Sequence, residues 1–134
     1  MKALKEIYGW SYDTSGFGSG LITWYNRLLD KTYDDLTIED VCRMIRQDMA
    51  KDIAVQKAIE FFVKAPYGGE YYDGELLNTL ISLDTSLLSV SDVDKIKDVL
   101  DGVKYDYVNF EWTDEESKKQ YAQNINKMIE KLDS

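Results

Sequence analysis

Leu36-Thr-Ile-Glu-Asp-Val-Cys-Arg-Met-Ile-Arg-Gln-Asp48, then Ala65-Pro-Tyr-Gly-Gly-Glu-Tyr-Tyr-Asp-Gly-Glu-Leu-Leu77 after one further apolar-faced segment, is the stretch that reveals the fold. The Thr37 hydroxyl suits a free amide at a helix start. Asp40, three residues on, stands where a capping box ordinarily has Glu or Gln. Glu39 and Asp40 also meet the positive end of the helix dipole. Ile38, Val41, Cys42, Ile45 and Met49 recur at helical spacing and form one apolar face, leaving Arg43, Arg46, Asp48, Lys51 and Asp52 for solvent. Ile53, Ala54, Ala58, Ile59, Phe62 and Val63 continue the pattern on a shifted face, which predicts two helices joined by a tight turn near Met49 to Asp52. Pro66 ends the second helix by removing an amide and disfavouring helical geometry at Ala65.

The same reading extends in both directions. Leu4, Ile7 and Tyr8 predict a short helix stopped by Gly9. Ser11 to Gly20, with Gly16, Gly18 and Gly20, predicts a loop. It lacks the Lys-Ser/Thr of a P-loop and the preceding strand of a dinucleotide fold. Leu21, Trp24, Tyr25, Leu28 and Leu29 share one helical face, ending near Lys31. Asp73 is placed to cap a helix carrying Leu76, Leu77, Leu80 and Ile81. Ser91 with Asp94 suggests a cap ahead of Val93, Ile96 and Leu100, with Gly102 as terminator. Thr113 with Glu116 suggests a capping box ahead of Tyr121, Ile125, Met128, Ile129 and Leu132. Val103, Tyr105 and Tyr107 alternate with polar residues, so a short extended connector is expected over 103–112. The expected fold is all-α, a compact helical bundle of about six to seven helices forming one domain over residues 1–134.

Composition narrows the function classes. The chain has 134 residues, the size of one ordinary domain, and its ten tyrosines exceed what a disordered segment carries. Twenty-five acidic against sixteen basic residues give a formal charge of -9, which repels nucleic acid and anionic membranes. A basic partner is the complement, although acidity for solubility explains the same balance. The single cysteine, Cys42, forms no internal disulfide and falls on an apolar face, as a buried structural thiol does. The start of the chain lacks a signal-peptide core and no stretch is long and apolar enough for a membrane span, so the cytoplasm is expected. There is no histidine, which removes the usual triads and zinc sites. No metal or cofactor is expected. Carboxylate-pair hydrolysis stays open at Glu70, Asp73 and Glu75, but a solvent-facing cluster plus a helix cap is the simpler reading.

That cluster suits recognition. Tyr67, Tyr71 and Tyr72 interleave with Glu70, Asp73 and Glu75, combining rigid amphipathic rings with carboxylates able to receive Arg or Lys. A second acidic run comprises Asp106, Glu111, Asp114, Glu115 and Glu116, with Phe110 and Trp112 among them. Asp34, Asp35 and Glu39 form a third group. Helix capping accounts for part of both.

The order of these motifs resembles the immunity proteins of contact-dependent growth inhibition systems. The likeness runs through Leu4 to Ile7, a glycine-bearing spacer, the helix from Leu21, Leu36 to Asp40, Ile45 to Gln47, Pro66 and Gly69 to Leu77, covering about the first 84 residues. Met49 to Asp52 is more polar than the family pattern, and no family motif follows beyond that span. The resemblance implies an inhibitor, not an enzyme, that binds the toxic C-terminal domain of a large bacterial protein and occludes its active site or substrate groove. A cationic nuclease is one such toxin. On this reading Glu70, Tyr71, Tyr72, Asp73 and Glu75 are the expected toxin-binding patch. A general protein-binding adaptor or regulatory domain is the rival, with a carboxylate-based hydrolase behind it.

Overall fold

The computed structural model describes residues 1–14 and 20–133. Half of the expected glycine loop, including Gly16 and Gly18, lies outside the described residues, while Gly20 opens a helix. Seven α-helices and no strands occur among the described residues: α1 (Leu4–Tyr8), α2 (Gly20–Leu28), α3 (Ile38–Arg46), α4 (Lys51–Lys64), α5 (Glu75–Ile81), α6 (Val90–Asp106) and α7 (Glu115–Asp133). The all-α bundle expected from periodicity is therefore observed.

Helix ends follow local chemistry. Gly9, at φ 67°, closes α1 in the left-handed region that glycine enters without steric cost. The first amides of α1 donate to the chain leaving α2, Leu4 to the Lys31 carbonyl at 3.0 Å and Lys5 to that of Leu29 at 3.1 Å, so the opening amides of α1 are satisfied. The expected capping box opens α3: Thr37 Oγ1 accepts from the Asp40 amide at 3.1 Å, and Asp40 Oδ2 accepts from the Thr37 amide at 3.0 Å. The predicted break between α3 and α4 is also present. Asp48 and Ala50 turn the chain there with φ of 59° and 48°, left-handed values for non-glycine residues that cost on the order of 1 kcal/mol each.

The two-helix hairpin of α3 and α4 supports the rest: α5 packs against both, α6 lies on α4, and α7 covers α5 and α6. One cluster of buried side chains runs through all of them, from Leu4 through Val41, Met44, Phe62, Leu80 and Leu100 to Met128. Cys42 is within it, and burial pushes its thiol up to about 11, which keeps it protonated and unreactive at neutral pH.

Several expectations are corrected. The alternation at Val103, Tyr105 and Tyr107 does not make an extended connector. Ile96, Val99, Leu100, Val103 and Tyr107 continue a helical stripe that packs on the core, and α6 persists to Asp106 before a 3₁₀ turn at Tyr107–Asn109. Gly102 sits inside α6 with open space where a side chain would be, so it weakens the helix without ending it. The cap of α6 is Ser89 with Asp92, one of two overlapping Ser-x-x-Asp signals; Ser91 is already helical. The entry to α7 is stabilised by Asp114, whose carboxylate accepts from the Ser117 amide at 2.7 Å and the Ser117 hydroxyl at 3.0 Å, not by Thr113. Asp73 does not cap α5, which starts from Gly74 at φ 84° with no side-chain cap. Leu21 lies on the exposed side of α2, although it shares spacing with the buried Trp24 and Leu28. Met44, absent from the expected stripe, is fully buried.

Candidate functional site

Residues 65–75 form a tight turn gripped from two sides. On one side Tyr67 stacks on Phe110, with centroids 4.3 Å apart, and meets Trp112 edge-on at 5.5 Å and Tyr121 at 5.3 Å. The Tyr121 hydroxyl donates to the Pro66 carbonyl at 2.9 Å, and that of Tyr67 to Asp106 at 2.9 Å. This aromatic cluster draws the turn against α7 and the end of α6. It also explains Gly74: besides its positive φ, a Cβ there would stand 2.5 Å from the Tyr121 ring.

On the other side are two arginines from α3. Glu70 Oε1 accepts from Arg43 at 2.5 Å and Oε2 from Arg46 at 2.7 Å. Glu75 turns its carboxylate back into the turn, where Oε1 accepts the amides of Glu70 at 2.6 Å and Tyr71 at 2.9 Å, while Oε2 accepts from Arg46 at 3.2 Å. The two carboxylate side chains retain only 5% and 7% exposure. Burial disfavours charge on Glu70, but Arg46 and Arg43 outweigh it and hold the carboxyl below its ordinary range.

The network continues into α2. The Arg43 guanidinium lies over the Trp24 ring at 5.1 Å, and Trp24 Nε1 donates to Asp40 at 2.9 Å. Lys31 donates to the other Asp40 oxygen at 2.6 Å. At the outer end Arg46 lies 5.0 Å from the centroid of the Tyr71 ring. Trp24, Arg43, Glu70, Arg46 and Tyr71 thus form one chain of stacked and charge-assisted contacts from the core to a surface ring.

The five expected patch residues are neighbours but face differently. Tyr71 is 70% exposed and Tyr72 37%. Asp73 is half-buried, and its Oδ2 accepts from the Thr113 amide at 3.1 Å and the Thr113 hydroxyl at 2.7 Å. Glu70 and Glu75 point inward, correcting the expectation of a solvent-facing acidic cluster. Arg43 and Arg46, expected to be merely solvated, neutralise them.

The Asp73 bonds to Thr113 join two segments forty residues apart. They bring the Tyr71–Asp73 edge beside the second acidic run, where Glu111, Asp114, Glu115 and Glu116 are all exposed and no Lys or Arg falls between 105 and 117. Tyr105, 75% exposed, and Val108 add apolar surface before that run. The third acidic group is locally used in part: Asp35 accepts from the Thr32 amide and hydroxyl. Among the described residues no three His, Cys, Asp or Glu side chains are grouped so as to hold a metal ion, and no helix is long and apolar enough to cross a membrane.

The fold and this edge define an all-α helical bundle in which the exposed Tyr71 and Tyr72 flank a turn that Asp73 ties, through Thr113, to a run of exposed carboxylates. A family model of CDI immunity proteins matches residues 6–98, more than half of the sequence, and the chain belongs to that family. The match extends past the Gly69 to Leu77 motif, through α5 and into α6. No curated protein matches the chain.

Proposed function

We propose that this chain neutralises the toxic C-terminal domain of a partner protein by covering its active site or substrate groove, acting in the cytoplasm of the cell it protects. Membership of the immunity family supports a toxin partner. The bridge from Asp73 to Thr113 is the observation that supports the choice of surface, because it sets the Tyr71–Asp73 edge next to the second acidic segment. Tyr71, Tyr72 and Asp73 supply the contact edge, with Glu111, Asp114, Glu115 and Glu116 as the charged flank. Glu70 and Glu75 belong to the same patch but serve it from behind. A carboxyl held ionised by two guanidiniums is a poor general acid at neutral pH, which favours occlusion over hydrolysis.

Glu111, Asp114, Glu115 and Glu116 outnumber the Lys118 and Lys119 that follow them in α7, so the flank is net negative and fits a cationic domain, as of a nuclease whose groove receives phosphates. Binding of the purified toxin domain, followed by stopped flow, tests this. Association is expected to slow by about tenfold or more between 0.05 and 0.5 M salt, as screening shortens the reach of the exposed charges. Replacing Tyr71 and Tyr72 together with alanine is expected to weaken affinity by at least about tenfold, since exposed rings at an interface centre carry a disproportionate share of binding. Salt-independent association together with unchanged affinity of the double variant would place the interface elsewhere.

A further inference from the structure

We propose that Arg43 and Arg46 are positioning residues for partner recognition: they hold the Tyr71–Asp73 edge in its binding geometry before the partner arrives. This rests on the reading of that edge and its acidic flank, together the ridge, as the toxin-binding surface. Arg46 is the hub, since its guanidinium bridges Glu70 and Glu75 and lies against the Tyr71 ring. Glu75 in turn receives the amides of Glu70 and Tyr71, fixing the backbone that leads into Tyr71. Arg43 gives Glu70 a second grip and is itself stacked on Trp24. The tip of the turn is therefore tied through α3 to the buried indole of α2.

The two positive charges are balanced by the two carboxylates they hold, so the arginines add little to long-range attraction. Their effect falls on the ordering of the edge. A segment already ordered in the free protein loses less freedom on binding, and its affinity advantage appears mainly as slower dissociation. A lysine at position 46 keeps the charge but not the planar fork that spans two carboxylates and lies on a ring.

The test uses the chain and a purified cognate toxin domain. Arg46→Lys is expected to raise amide hydrogen exchange at residues 70–73 of the free protein by about tenfold and to speed dissociation by about tenfold, leaving association within about twofold. Should that variant fold poorly, the pair Arg46→Gln with Glu70→Gln, which adds no net charge, is expected to give the same split. Wild-type exchange and dissociation in a folded variant overturn the inference. Tyr71→Ala is the parallel control: unchanged binding there overturns the ridge reading and this inference with it. Exchange in the free protein tells the two failures apart, because it reports the arginine grip without any partner.

Discussion

Glu70→Lys is expected to lower the stability of the free protein by about 3–5 kcal/mol, the cost of breaking a buried charge pair and leaving its partners uncompensated. The new ammonium would face Arg43 and Arg46 where a nearly buried carboxylate now bridges them. Urea unfolding monitored by tryptophan fluorescence measures the loss. Glu70→Gln keeps the shape and some hydrogen bonding, so it is expected to cost about 1–3 kcal/mol. Acidification acts in the same direction. Glu70, Asp40 and Asp92 all hold their carboxyls below the ordinary range, burial being outweighed by Arg46 and Arg43 at Glu70, by Lys31, the Thr37 amide and Trp24 at Asp40, and by the Ser89 amide and Gln56 at Asp92. Their stabilisation is full above the ordinary carboxyl pKa of about 4 and disappears as pH falls through the lowered folded values. An unfolding free energy that stays level from pH 7 to pH 2 would contradict this. The consequence for interface mapping is practical: reversing Glu70 or Glu75 damages the scaffold, so weaker binding after such a change does not identify a contact.

Reversing Glu111, Glu115 and Glu116 to lysine together isolates the charged flank from the scaffold. Each is exposed, and the change takes the formal charge from -9 to -3. Association with a cationic toxin domain is expected to slow by about 10- to 100-fold at low salt, while dissociation changes little, the signature of lost steering. Stability is expected to fall by about 1 kcal/mol, because Glu115 and Glu116 complement the dipole in the first turn of α7. The corresponding glutamine triple variant separates these effects by halving the charge change. An association rate equal to that of the unmodified protein would remove the flank from the interface.

Much of the helical order was legible because burial and hydrogen bonding in a helix are local in sequence. The apolar spacing of α3, α4 and α7 and the reciprocal Thr37 and Asp40 bonds leave clear residue patterns. Local sequence misleads where two patterns overlap. Ser89 and Ser91 both open Ser-x-x-Asp signals, and Val103 to Tyr107 fits a period of two as readily as the helical stripe that Ile96 and Leu100 begin.

The direction of the carboxylates was beyond such patterns. Whether Glu70 faces solvent depends on Arg43 and Arg46, more than twenty residues upstream, and a glycine-rich turn full of acids reads as exposed until those partners are placed. A faint signal existed: Arg43 and Arg46 are three residues apart, so they share a helical face and can hold one acceptor between them. The junction of Asp73 with Thr113 left no comparable trace. Local sequence therefore places Asp73 as a cap for its own helix, and Thr113 as one for α7.

Hydrogen exchange across the whole chain, with and without the purified toxin domain, tests the central claim most directly. If the ridge is the interface, binding slows exchange at residues 70–73 and 105–116 and leaves α1 unchanged. Protection confined to α1 and α2, with the ridge exchanging as in the free protein, would contradict the account.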